Sequence, residues 1–374
     1  MKIGIMTYWW SQDNYGQIMQ CYALQKYLRD EEHDAFLIRY NSAADFNKTP
    51  LLFKLFKLLN PSHVRNFIGN KRSAYLHSKE ITVHPRDFDS FRDRYIRQTD
   101  LVYHSYDSLR DNPPDADAYI VGSDQIWNFQ NLPLYKVFNI MNAWFLNFGG
   151  AKTKRLSYAA SFGSDSVSKQ YAGAIKPLIE RFDYVSVREK TGVSICAACG
   201  VDGAEWVPDP TLLLGADTYR SLYAENSLRK PEKPYVLLYL LSNPCELSIA
   251  KVYDWAASKS LDVQYVTGNA QHDEYPKNYS TVPEWLYLID HAEYVITNSF
   301  HGTVFSCIFR KRFAVVPLKG KVYESMNNRI YSLFERLNIP RTFLENDDFS
   351  VFDKMGECQA VTPQRWTQPS FLRS

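Results

Sequence analysis

No apolar run in this 374-residue chain extends much beyond Tyr235 to Leu241, far short of the ~20 residues a membrane-spanning helix needs, so a transmembrane segment is excluded. The N-terminus, Met1-Lys2-Ile3-Gly4-Ile5-Met6, meets polar Ser11-Gln12-Asp13-Asn14 without the longer apolar stretch and small-residue cleavage site of a secretory signal, which predicts a cytoplasmic protein. Cysteine is scarce: six residues cannot form a disulfide scaffold. Cys196-Ala-Ala-Cys199 has no second pair or His at metal-ligand spacing, so no metal is expected and the two thiols are read as buried on one helical turn. With only 16 Gly and 18 Pro the chain is neither collagenous nor of low complexity. An excess of one charge is missing too, because 43 basic residues face 41 acidic ones. A net charge of +2 gives no global field that would favour nucleic acid as a partner. The G-x-G-x-x-G and Lys-bearing phosphate-loop patterns are absent, so neither NAD nor ATP is supported and no cofactor is expected.

What is present is ordinary globular composition, 45% hydrophobic, in a length that suits two domains. Lys2 to Tyr8 is a short apolar run, Gln17 to Glu31 has helical spacing and Ala35 to Tyr40 is again strand-like, which makes a β-α-β unit. Ala118 to Val121, Arg155 to Ala160 and Tyr184 to Val187 continue the rhythm. A stretch marked by Pro208, Pro210, Pro231 and Pro234 reads as the domain junction. The alternation then restarts, with strands at Tyr235 to Leu241, Asp262 to Thr267, Tyr294 to Ser299 and Phe313 to Pro317. The expected fold is α/β, two Rossmann-like domains facing a cleft: residues 1–215, residues 230–345, and a C-terminal tail over 346–374.

One segment departs from this pattern. Residues 46–79 hold seven basic residues and no acidic one, which leaves 36 basic against 41 acidic in the rest of the chain. Leu51, Leu52, Leu55, Leu58 and Leu59 share one helical face there. Such a face suits either a helix packed on the sheet as part of a lid or one lying in an anionic membrane surface.

Ligands in doubly wound sheets sit beyond the carboxyl ends of the strands, where helix N-termini attract anions. Four loops follow strands. In the first, Gly16 would permit close backbone approach, and Asn14, Tyr15 and Gln17 stand beside it; the alternative is a turn with a helix cap. In the second, Gly122-Ser123-Asp124-Gln125, the Ser and Asp either cap the next segment or, for Asp124, accept a substrate proton. In the third, Arg188 either pairs with Glu189 at the surface or offers a planar fork to a carboxylate or phosphate. In the fourth, Asn298-Ser299-Phe300-His301-Gly302-Thr303, a His opens a helix where an anion would bind, and a bound phosphate would hold His301 protonated as a general acid. Trp127 is a candidate platform for stacking a sugar ring.

Taken together, Asn14-Tyr15-Gly16-Gln17 with Gln20 to Gln25, Val121 to Asn128, Tyr158 to Gly163, Ser186-Val187-Arg188-Glu189, Asp209-Pro210-Thr211 and Ser299 to Thr303 resemble the polysaccharide pyruvyl transferase family. The resemblance implies a fold similar to the B-type glycosyltransferases, with the N-terminal domain on the acceptor side and the C-terminal one on the donor side. It also implies transfer of the carboxyvinyl unit of phosphoenolpyruvate onto two hydroxyls of a sugar or lipid-linked oligosaccharide as a cyclic ketal. His301 is then the acid and Arg188 an anion clamp. Where many members have Arg-Leu-His-Gly this chain has Ser299-Phe300-His301-Gly302, and Arg329 is the candidate replacement for the missing cation. Two other readings stay open: a glycosyltransferase using a nucleotide sugar, disfavoured because no acidic residue lies between His301 and Tyr323, and a non-catalytic carbohydrate-binding relative.

Overall fold

The computed structural model describes residues 1–46, 61–129, 132–241, 245–268, 273–353 and 355. Five parallel strands form the first sheet in the order β3-β2-β1-β4-β5: β1 Lys2–Met6, β2 Asp34–Tyr40, β3 Gln98–Tyr103, β4 Ala118–Val121 and β5 Lys154–Ser157. Parallel bridges from Leu156 to Tyr184 and from Ala160 to Val187 carry it on to β6 (Ser186–Val187) and β7 (Glu205–Trp206). Four parallel strands form the second sheet in the order β11-β10-β8-β9: β8 Tyr235–Leu241, β9 Asp262–Gly268, β10 Tyr294–Thr297 and β11 Arg312–Val315. All four residues of β4 and the first six of β8 are buried, as expected of strands covered by helices on both faces.

Helix starts follow local chemistry. Asn14 caps the helix Tyr15–Asp30 by accepting from the Gln17 N–H, and Ser299 caps Phe300–Ile308 by accepting from the Gly302 N–H. Thr281 and Glu284 form a reciprocal capping box at Val282–His291. Every residue of Phe300–Ile308 is buried, so this helix is internal rather than amphipathic.

The topology places the site. In the first sheet the chain leaves β1 toward β2 on one side and β4 toward β5 on the other, so a crevice opens at their carboxyl ends. The same reversal occurs between β8 and β10. Aromatic packing joins the two halves: Tyr15 stacks on Trp285 with ring centroids 4.9 Å apart, and its hydroxyl donates to the Ser280 carbonyl at 2.6 Å. Arg86 adds a tie by donating to the Thr267 carbonyl.

The basic segment divides. Its leucine face, residues 51–59, lies outside the described residues. The helix Pro61–Val83 carries Lys71, Arg72 and Lys79 exposed, and its later turns reach the body through His77, whose Nε2 lies 3.7 Å from Asp13. Among the described residues no helix is long and apolar enough to cross a membrane. At the other end of the chain Phe349 and Phe352 stack on Trp255, with centroids 5.0 and 4.9 Å away.

Candidate active site

A cavity of about 300 Å³ opens where the two crevices meet. Tyr8, Asn14 and Gln17 reach it from the end of β1 and the helix after it, and Asp124, Gln125 and Asn128 from the loop after β4. Leu241, Asn298, Ser299, Phe300 and His301 come from the ends of β8 and β10, and Arg329 from the helix Lys321–Leu337. Loops from all four central strands therefore meet at one place.

Beneath the cavity lies a buried charge cluster. The Arg188 guanidinium reaches Asp209 at 2.9 Å, Glu189 at 3.2 Å and Asp124 at 3.7 Å, and donates to the Ser123 hydroxyl at 3.3 Å. Burial by itself would make Arg188 easier to deprotonate; the three carboxylates outweigh it and hold the cation more firmly than in water. Asp209 is the hub. One of its oxygens accepts from Arg188 and from Ser123 Oγ at 2.8 Å, and the other accepts from the Thr211 N–H and hydroxyl at 3.1 and 2.7 Å. His301 Nε2 stands 3.5 Å from Asp209 Oδ2. Burial would raise the Asp209 carboxyl, but His301 and Arg188 prevail and keep it well below the usual carboxylate range. Asp209 thus gives the imidazole a fixed, buried carboxylate as the neighbour of its Nε2.

Arg329 is held differently. Half-buried on the cavity wall, its guanidinium carbon lies 6.0 Å from the Phe300 ring centroid, while that of Arg188 is 4.5 Å from the same ring. Burial first, and then the neighbouring Arg188, pull Arg329 down to about 10, which leaves it cationic at neutral pH. Tyr8 is pushed up by burial and by Asp124 and stays a phenol.

Several expectations are corrected by this geometry. Arg188 does not line the cavity and is no surface ion pair, because three carboxylates enclose it below the floor. Gly16 gives room to His301 rather than to a ligand: a Cβ there would overlap Nδ1 and stand 2.5 Å from Cγ. Tyr15 is fully buried between the two halves. Gly122 packs on the Tyr158 carbonyl, and Ser123 is buried with its hydroxyl on Asp209. Gly302 packs on Thr297 and Tyr239, and the Thr303 hydroxyl donates to the Ser299 carbonyl at 3.0 Å. Asn298 does reach the cavity, yet its amide is engaged with the Leu241 backbone at 2.8 and 3.0 Å. Trp127 cannot carry a sugar, since it is fully buried, stacked 4.8 Å from Phe145 and bonded through its N–H to the Trp144 carbonyl. Asn14, Gln17, Asp124, Gln125, Ser299, His301 and Arg329 line the cavity as a group.

Tyr8 and Asn128 are cavity residues that the sequence did not single out, and Asp209 had no assigned role. Cys196 and Cys199 are buried free thiols, Cys196 being pushed up to about 12 by burial and by Cys199. Among the described residues no three His, Cys, Asp or Glu side chains gather as a metal would require.

Among solved structures, the chain is similar to the UDP-GlcNAc 2-epimerase from Neisseria meningitidis bound to UDP-GlcNAc: 10% identity, 90% of this chain and 92% of that one covered, TM-score 0.41. The UDP-GlcNAc 2-epimerase from Methanocaldococcus jannaschii in complex with UDP-GlcNAc and UDP gives 11% identity, coverage of 93% and 96%, and a TM-score of 0.40. The glycosyltransferase SsfS6 of Streptomyces sp. SF2575, complexed with thymidine diphosphate, gives 11% identity, with coverage of 94% and 93% and a TM-score of 0.33. No curated protein matches the chain. The family model for polysaccharide pyruvyl transferase matches residues 14–319, from the Asn14 cap through the buried cluster to the helix opened by His301. The chain belongs to the polysaccharide pyruvyl transferase family.

Proposed function

We propose that this protein transfers the pyruvyl group of phosphoenolpyruvate to a sugar of a cell-surface polysaccharide precursor, forming a ketal. The observation that carries this reading is the pairing of His301, backed by Asp209, with Arg329 on one cavity wall and the Asp124 carboxylate on the other. Phosphoenolpyruvate brings a carboxylate and a phosphate, and Arg329 supplies a cation for them where Ser299 is occupied as a helix cap. His301 protonates the methylene carbon, turning C3 into a methyl and leaving an oxocarbenium-like C2. One sugar hydroxyl adds to C2 and gives its proton to Asp124. Phosphate then departs with the C–O electron pair as the second hydroxyl closes the ring. Of the two hydroxyl protons, one is balanced by the new methyl and the other by the released phosphate.

In this reading residues 1–215 form the acceptor side and residues 230–345 the donor side. The acceptor is a sugar or a lipid-linked oligosaccharide at the cytoplasmic membrane face, and the basic 46–79 segment touches the anionic surface. Phosphorus NMR of phosphoenolpyruvate with methyl hexosides as acceptors tests it. Orthophosphate should appear only when the acceptor is present, together with a new methyl signal on the sugar, and His301→Ala should abolish both. Consumption of a UDP-sugar with phosphoenolpyruvate left intact would refute the proposal.

A further inference from the structure

The N-terminal wall of the cavity carries an amide pair that the mechanism above does not use. Asn128 Nδ2 donates to Gln125 Oε1 at 2.9 Å, and both side chains lie against Gly163. Gly163 has φ +61°, and a Cβ there would overlap Gln125 Oε1 and stand 2.6 Å from Asn128 Nδ2, so glycine is needed for the pair to settle. The support is itself fixed. The Gly163 N–H donates to Ser161 Oγ at 3.1 Å, Ser161 Oγ donates to Glu189 at 2.8 Å, and the Ser161 N–H donates to the Asp124 carbonyl at 3.0 Å. Tyr8 holds the loop from the other side by donating to the Gln125 carbonyl at 3.3 Å.

The shared bond consumes one acceptor and one donor. On these two joined side chains it leaves the Gln125 NH₂ group to donate and Asn128 Oδ1 to accept, which is the complement of two neighbouring hydroxyls. Gln17 adds a buried Oε1 on the same wall that has no hydrogen-bond partner within the protein. The wall's one charge is Asp124, whereas the cavity's His and Arg come from the C-terminal wall. An acceptor bearing a carboxylate or phosphate at this position would face Asp124, whose neighbouring cation, Arg188 at 3.7 Å, is already shared with Asp209 and Glu189; an uncharged one meets donors and acceptors only.

We propose that Gln125 and Asn128 form a subsite that reads two neighbouring hydroxyls of an uncharged hexose unit. Calling that unit the acceptor rests on the pyruvyl-transfer reading; its recognition does not. Saturation-transfer NMR and titration with methyl β-D-galactopyranoside and methyl β-D-mannopyranoside, each against its uronate, test the subsite without any donor. At least one neutral glycoside should bind, its uronate should bind about tenfold more weakly, and Asn128→Ala or Gln125→Ala should weaken the neutral glycoside by about tenfold, the scale of one lost hydrogen bond. Uronates binding as well as neutral sugars, or no glycoside binding at all, would overturn the subsite on the unmodified protein. So would undiminished binding by both alanine variants. Glycosides binding as described while phosphoenolpyruvate does not bind would support the subsite and count against pyruvyl transfer.

Discussion

The floor and the wall of the cavity use arginine in opposite ways. Arg188, on the floor, is enclosed by Asp209, Glu189 and Asp124, and its charge is spent inside the protein. Arg329, on the wall, lines the cavity and is held less firmly as a cation than a solvated arginine. Both guanidinium groups approach one Phe300 ring, at 4.5 and 6.0 Å from its centroid. The contrast teaches that an arginine at a strand end near a cavity can be part of the foundation, while the cation that lines the cavity arrives from a distant helix.

The sharpest way to break this contrast is to remove the foundation. Arg188→Ala leaves buried carboxylates uncompensated and should cost about 3–5 kcal/mol of stability, measured by urea unfolding. A loss under about 1 kcal/mol would show that the cluster is not structural.

The next effect concerns position alone. Gly16→Ala would push a methyl group into the His301 ring, so turnover should fall about a hundredfold while the circular dichroism spectrum keeps its shape. Unchanged turnover would mean that His301 tolerates displacement and is not the acid.

A smaller effect is expected at low pH. The Asp209 carboxyl is depressed in the folded protein, so its contribution to stability is complete above about pH 4, the ordinary carboxylate value, and fades as the pH falls below it. Asp209→Asn should therefore be less stable at neutral pH and lose less on acidification than the parent. Parallel stability curves for the two proteins would contradict the depressed carboxyl.

How far these features were legible from sequence follows the same division. β1, β4 and β8 stood out because strands covered on both faces must be apolar along their length. β3 did not, because Gln98-Thr99-Asp100-Leu101 forms a half-exposed edge strand with no apolar run. Of the four loops singled out at strand ends, those bearing Asn14, Asp124 and His301 do meet at the cavity, whereas Arg188 lies below its floor. The direction of each side chain was not identifiable. Asp209 looks like an ordinary cap of the short helix Pro210–Leu213, and nothing local reveals that Ser123, Arg188 and His301 converge on it. Gly16 reads as space for a ligand until His301, far along the chain, is seen to fill that space. Asn128 was hidden beside Trp127, whose bulk suggested a platform but whose ring is core.

The most direct test of the whole account is calorimetric titration of the protein and of Arg329→Ala with phosphoenolpyruvate and, separately, UDP. The account predicts that phosphoenolpyruvate binds and UDP does not, and that Arg329→Ala weakens donor binding by about tenfold or more while its thermal midpoint stays within about 2 °C of the parent's. Binding of UDP without phosphoenolpyruvate, or donor binding indifferent to Arg329→Ala, would contradict it.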